Sequence, residues 1–337
     1  MIQGSHGLEA RATIASRPTL QSMPELVRIT DVSPRDGLQN EPGVIPTADK
    51  ARLVELLSDT GVDEVEVTSF VSRKWIPQLG DAGELVEALA TRLKRKTDYW
   101  SALVPNEIGL DSAISANKMA MALSGDRGLL INKIAVFTSA SETFASKNTN
   151  ASIAETLERF KPVIARSSKE FEAVRGYVSC AVACPFEGAI APQAVTTVAF
   201  DLYRLGCREI DLGDTIGAAT PDSIRALLKC IVDSQRNDED WYDWWITLHL
   251  HDTFGRAAEC VKVALDMGVR SFDGSVAGLG GCPYASTPGK RAPGNIDTRL
   301  LVETIHRAGY RTNVDLDKLE VAGDFAREIV AKARASA

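Results

Sequence analysis

From residue 26 onward the chain alternates eight times between a short β-like run and a helical pattern, and this restricts the fold more than any other feature. The strand-like runs are 26–30, 64–67, 99–104, 133–137, 177–182, 209–212, 246–251 and 271–274. Helical patterns follow at 47–59, 81–92, 108–121, 152–167, 192–205, 221–233, 255–267 and 298–308. Gly61, Gly206, Gly268 and Gly309 stand just past helix ends, where a left-handed cap favours glycine. Eight such units predict a parallel barrel, because an open doubly wound sheet typically uses fewer. One more helix is expected over 316–333. The expectation is therefore an α/β chain: a (β/α)8 TIM barrel with a C-terminal helical extension. It occupies 26–337 as one domain, preceded by a flexible extension over 1–25.

The seventh run adds the chemistry. In Trp245-Ile246-Thr247-Leu248-His249-Leu250-His251 a period of two puts Thr247, His249 and His251 on one face and the aliphatic residues on the other. Glu209 and Asp211 alternate with Ile210 and Leu212 in the same way, and Glu66 lies between Val65 and Val67. Polar side chains inward and apolar ones toward a helix layer suit a barrel with a polar mouth, whose active site lies at the C-terminal strand ends. Two of the four histidines in the chain meet there as His249-x-His251. That spacing brings two imidazoles within reach of one metal ion, with Asp252 and Thr253 as supporting groups. The blander alternative is a hydrogen-bonded pair without metal.

Two loops belong to the same face. Residues 31–41 (Asp31-Val32-Ser33-Pro34-Arg35-Asp36-Gly37-Leu38-Gln39-Asn40-Glu41) crowd charges and amides after the first strand. A carboxylate there can reach a metal held by the seventh strand, and Arg35 can polarise a carbonyl or clamp a carboxylate. A solvated loop with local turns is the alternative. Residues 276–285, after the eighth strand, carry Gly278, Gly280 and Gly281 with Cys282. The glycines permit close approach to a ligand or lid movement; a plain connector with an inert thiol is the alternative. The stretch lacks the Gly-Lys-Ser/Thr ending of a Walker loop.

Composition excludes other classes. With 25% charged residues and 45% hydrophobic ones, no window reaches the ~18 consecutive apolar residues of a membrane span. A net charge of −7 offers no basic stripe for nucleic acid. The six cysteines form no zinc pattern, so reduced thiols in a cytoplasmic compartment are the expectation. The Arg- and Ser-containing start leaves open a weak organelle-targeting signal, hence a mitochondrial matrix location in a eukaryote, beside an unstructured extension.

Six motifs in order then carry a resemblance: Arg35-Asp36-Gly37-Leu38-Gln39-Asn40-Glu41; Thr68-Ser69-Phe70-Val71-Ser72 with Lys74-Trp75-Ile76-Pro77-Gln78; Tyr177-Val178-Ser179-Cys180; Leu212-Gly213-Asp214-Thr215-Ile216-Gly217; His249-x-His251-Asp252-Thr253; and Gly278-Leu279-Gly280-Gly281-Cys282-Pro283-Tyr284-Ala285. Together they resemble the 3-hydroxy-3-methylglutaryl-CoA lyases, within the barrel metallolyase group that includes the isopropylmalate and homocitrate synthases.

The resemblance implies retro-Claisen cleavage of 3-hydroxy-3-methylglutaryl-CoA to acetyl-CoA and acetoacetate with Mg²⁺ or Mn²⁺, a step of leucine and ketone-body catabolism. It implies Asp36, His249, His251 and Asn295 as metal ligands, and Arg35, Asp36, His249 and Cys282 as catalytic residues. Arg35 would stabilise the enolate and Cys282 would protonate the acetyl-CoA carbanion. Gln39, Glu66, Asp214 and Thr215 would bind substrate or support the ligands. It further implies a homodimer. Three departures leave open a related lyase, aldolase or Claisen synthase acting on another acyl-CoA or hydroxy or oxo acid. The stretch from Cys282 to Asn295 is longer than usual, with Lys290 and Arg291 as candidates for a CoA phosphate at the rim. Arg299 stands where the family has a Glu, with Asp297 nearby, and the stretch 117–132 is also longer.

Overall fold

The computed structural model describes residues 25–92, 96–126, 128–235, 245–281 and 294–337. The expected extension over 1–25, apart from Glu25, and the calls on Cys282, Lys290 and Arg291 lie outside the described residues. Eight strands run parallel around a closed barrel in chain order. They are β1 (Arg28–Asp31), β2 (Glu64–Ser69), β3 (Tyr99–Leu103), β4 (Lys133–Ser139), β5 (Ala173–Ser179), β6 (Glu209–Asp214), β7 (Trp245–Leu250) and β8 (Ser271–Gly274). Closure comes from β1, which pairs with β8 (Arg28 opposite Ser271, Asp31 opposite Gly274) and with β2 (Thr30 opposite Glu64).

The helix layer consists of α1 (Thr47–Ser58), α2 (Ala82–Ala90), α3 (Glu107–Ser124), α4 (Glu142–Thr149), α5 (Ile153–Glu170), α6 (Pro192–Leu205), α7 (Pro221–Gln235), α8 (Ala257–Asp266) and α9 (Thr298–Arg307). The expected extension is α10 (Leu316–Ala335), which packs against α1. Val65, Val67, Ile210, Leu212, Leu248 and Leu250 are buried between sheet and helices, as the period of two predicts.

The opposite side of these strands is ionic. Arg175 on β5 is buried in the barrel interior, where Nη2 donates to Thr30 Oγ1 at 2.9 Å and Nη1 to Asp273 Oδ1 at 3.0 Å. It also pairs with Glu209 at 2.5 Å and Glu64 at 3.3 Å. Lys133 on β4 reaches Glu64 at 2.6 Å and also contacts Glu209. Six strands are thus tied from inside by two cations and three carboxylates.

The fifth strand lies four residues earlier than the sequence suggested, at 173–179 and not 177–182. Its Arg175-Gly176 looks foreign to a strand only until the charged interior is known. Cys180, at φ +59°, then leaves extended geometry and ends the strand. Three elements had no periodic signal to announce them: α4, the hairpin pairing Ala183–Cys184 with Gly188–Ala189, and a π-helical turn at Ser33–Gly37. The stretch after α3 turns through Gly125 in the left-handed region, and Asn117 pins it with a reciprocal pair of bonds to Ile131.

Arg175→Ala would strand buried carboxylates without their cation. It is expected to lower the unfolding free energy by about 3–5 kcal/mol, read from the urea midpoint at unchanged slope.

Candidate metal centre at the barrel mouth

The first loop begins with a device that aims two side chains inward. Gly37 N–H donates to Val32 O at 3.1 Å, closing the π turn that carries Pro34, Arg35 and Asp36. The buried Asp31 carboxylate holds the turn in place by accepting from Ser33 N–H at 2.9 Å, Val276 N–H at 3.1 Å and Thr298 Oγ1 at 2.7 Å. Burial nevertheless pushes Asp31 up to about 6. The first strand end, the glycine-rich loop and the start of α9 therefore meet on one carboxylate.

Asp36, His249 and His251 converge, with one potential ligand atom from each lying within 4.8 Å of the others. His251 stands just beyond β7, in a bridge with Asn295. The facing Nε2 atoms of His249 and His251 are 3.3 Å apart. His249 Nδ1 donates to Asp273 Oδ2 at 3.2 Å, which fixes the tautomer and leaves Nε2 with its lone pair toward the centre. Burial disfavours the charged imidazole, yet the bond to Asp273 and the charge of Asp36 raise His249 above its ordinary value. Burial, reinforced by His249, pushes His251 down to about 4. Burial opposes ionisation of Asp36, but Arg35 first and the histidines next hold its carboxyl far below the usual range.

Asn295 completes the group. Its Nδ2 donates to Asp36 Oδ2 at 2.8 Å and to Leu279 O at 3.0 Å, while its buried Oδ1 has no hydrogen-bond partner among the described residues. A buried acceptor without a donor, an anion and two imidazoles with converging ring nitrogens make a donor set that a hard divalent cation satisfies. Gly280, at φ +106°, is required here: a Cβ would stand 2.6 Å from Asn295 Nδ2 and 3.1 Å from Asp36 Oδ2.

Arg35 is held beside the cluster. Its Nη1 donates to Asp36 Oδ1 at 2.8 Å, and Nε donates to Glu66 Oε2 at 2.7 Å. The guanidinium also lies 5.5 Å from the centre of the Tyr177 ring. Burial raises Glu66 above the ordinary carboxylate range although Arg35 opposes it. A cleft of about 710 Å3 opens above the cluster, with Arg35, Asp36, Gln39, Thr215, His249 and His251 in its wall.

The structure thus brings together Arg35, Asp36, Glu66, His249, His251 and Asn295, with Gln39 on the wall. Asp214 is turned into its own loop, where it accepts from Ala218 N–H at 2.9 Å and Ala219 N–H at 2.8 Å; burial pushes it up to about 6. Thr215 lines the cleft and accepts from Cys180 N–H at 2.7 Å. Arg299 is engaged by Glu303 at 3.1 Å and Glu320 at 3.0 Å, and Asp297 caps α9.

Sequence reasoning missed Asp273, Tyr177 and Arg175 as members of the site. Asp273 alternates with Phe272 as Asp211 does with Ile210, so the same period would have found it. Tyr177, whose OH lies 3.2 Å from Glu66 Oε2, carried no signal beyond its motif.

The chain matches the HMGL-like family over residues 26–325. It is 43% identical over 307 residues to the cytoplasmic 3-hydroxy-3-methylglutaryl-CoA lyase of Danio rerio, covering 91% of this chain and 84% of that one. The crystal structure of the HMG-CoA lyase from Brucella melitensis superposes with a TM-score of 0.80 at 43% identity, covering 91% of this chain and 99% of that one. The HMG-CoA lyase from Acinetobacter baumannii, in complex with coenzyme A and 3-methylmalate, gives 0.77 at 32% identity, with 91% and 92% covered.

Asp273→Asn removes the anion that orients His249. It is expected to weaken Mn²⁺ binding by about 10–100-fold, measured by calorimetric titration of protein whose circular dichroism matches the parent.

Proposed function

This chain belongs to the HMGL-like family, and from that premise we propose that it cleaves 3-hydroxy-3-methylglutaryl-CoA into acetyl-CoA and acetoacetate. The observation that carries this reading is the convergence of Asp36, His249, His251 and Asn295, whose Oδ1 has no partner among the described residues, beside an Arg35 fixed by Glu66. The coenzyme A and 3-methylmalate bound to the Acinetobacter baumannii relative support an acyl-CoA substrate with a hydroxy-acid end. Among the described residues no helix is long and apolar enough to cross a membrane. Relatives of similar identity include cytoplasmic and mitochondrial lyases, so the proposed location is cytoplasmic with the mitochondrial matrix as the alternative. The family resemblance implies a homodimer.

Asp36, His249, His251 and Asn295 would hold Mg²⁺ or Mn²⁺, which would supply acidification of a bound hydroxyl. A carboxylate or imidazole at the site then removes the tertiary hydroxyl proton. The hydroxyl oxygen becomes a ketone, the adjacent C–C bond breaks, and its electron pair passes to the α-carbon of the thioester. Negative charge gathers on the thioester oxygen, where the Arg35 guanidinium neutralises it. Glu66 and Tyr177 keep that guanidinium in place, so little reorganisation accompanies the charge. From the sequence, Cys282 is proposed to deliver the proton that converts the enolate to acetyl-CoA, and Lys290 and Arg291 to bind a CoA phosphate. Gln39 and Thr215 contact substrate from the wall of the cleft, and Asp214 supports the loop that presents Thr215.

Chelation is expected to abolish acetoacetate release and added Mg²⁺ or Mn²⁺ to restore it. Full turnover by protein shown by elemental analysis to hold no metal would sink the proposal. Cys282→Ala is expected to bind Mn²⁺ as the parent does while kcat falls by roughly 10²–10⁴-fold, the range for loss of a general acid. A parental rate in steady-state assays would show the thiol to be inert.

A further inference from the structure

Helix α10 ends against the loop that carries Arg35 and Asp36. In its last turn Arg334 meets Glu41, whose side chain is fully buried. Arg334 Nε donates to Oε2 at 2.8 Å and Nη2 to Oε1 at 2.9 Å. Two residues on, a Cβ at Gly43 would stand 1.9 Å from the Ala333 carbonyl oxygen, so loop and helix end touch backbone to backbone. Gln78 grips the same stretch from the other side. Its Nε2 donates to Gly43 O at 2.7 Å and Glu41 O at 3.3 Å, and its Oε1 accepts from Ile45 N–H at 3.1 Å.

The contact continues to the site. Glu41 N–H donates to Leu38 O at 3.0 Å, and Leu38 N–H donates back to the Arg35 carbonyl. Asn40 Nδ2 donates to Gly281 O at 3.3 Å, beside Gly280, which packs on Asp36 and Asn295. We propose that Arg334 and Glu41 are positioning residues: the end of α10, reaching the loop as a two-pronged ion pair, sets where the Arg35–Asp36 turn stands. The reasoning is geometric. A planar guanidinium fixes both oxygens of a carboxylate at once, whereas an ammonium fixes a point. A π turn closed by few backbone bonds needs such an outer wall to hold two side chains in one orientation.

The inference rests on the metal-dependent reading of the site, so its test includes a readout free of metal. In the full chain, Arg334→Ala is expected to speed amide hydrogen exchange at residues 33–38. It should also weaken Mn²⁺ binding by about 10-fold, as for groups that support metal ligands, and lower kcat with KM little changed. Arg334→Lys should fall between the variant and the parent. Where Arg334→Ala fails to fold, Glu41→Gln, which keeps the side-chain shape, carries the same comparison. Exchange at 33–38 that matches the parent, with only the melting temperature lowered, overturns the proposal and leaves Arg334 as an anchor for α10. A parent that binds no Mn²⁺ overturns the metal reading instead, and the exchange result then decides the positioning role by itself.

Discussion

The guanidinium of Arg175 is the point on which the barrel interior depends. It stands where a hydrophobic barrel would place branched aliphatic side chains, and carboxylates from β2, β6 and β8 close around it. Burying these charges is costly, and well-packed apolar residues of similar volume commonly give equal or greater stability. Two of the groups it fixes face the chemistry, one a carboxylate and one a neutral phenol. Asp273 turns from Arg175 to His249, and Tyr177, 3.1 Å from Arg175 Nη1, turns to Glu66 and through it to Arg35. The ionic floor of the barrel is therefore continuous with the groups at its mouth.

Charge is divided along this column by position. Burial, and then the neighbouring Asp273 carboxylate, push Asp211 well above the ordinary range, while Asp273 stays below it because Arg175 and His249 outweigh its burial. Of these two acids, on the strands flanking β7, burial and like charge disfavour ionisation of one while the other orients the imidazole. The same logic separates the histidines: His249 has an anion behind it and His251 does not, so their basicities are pushed in opposite directions. A pair this close could not both be cationic, which suits a shared cation better than two protons.

Several of these relations were legible before any coordinates. The eight alternations, the inward face of β7, and the motifs around Arg35-Asp36 and Gly280-Gly281 follow from periodicities of two and 3.6 and from residue types with few other uses. The boundary of β5 was not legible, because Arg175 reads as a surface residue unless its partners 111 and 98 positions away, Glu64 and Asp273, are known. Asp214 belonged to a recognisable motif, yet only its two backbone donors show that its carboxylate staples its own loop. Arg299 looked like an intrusion at the site, and its pairs with Glu303 and Glu320 direct it to the junction of α9 and α10.

The sequence by itself determined the barrel, the end of it at which the polar side chains gather, and the types of side chain gathered there. These depend on local spacing and on side-chain chemistry, both carried by neighbours in the chain. Tertiary structure alone decided which carboxylate backs His249, which acceptor of Asn295 is left open, and how Arg334 comes to hold Glu41 across 293 positions. Closure of the barrel is the physical reason. It brings β1 against β8 and lays α10 over the first loop, so groups from opposite ends of the chain meet at hydrogen-bonding distance with geometries no local pattern encodes.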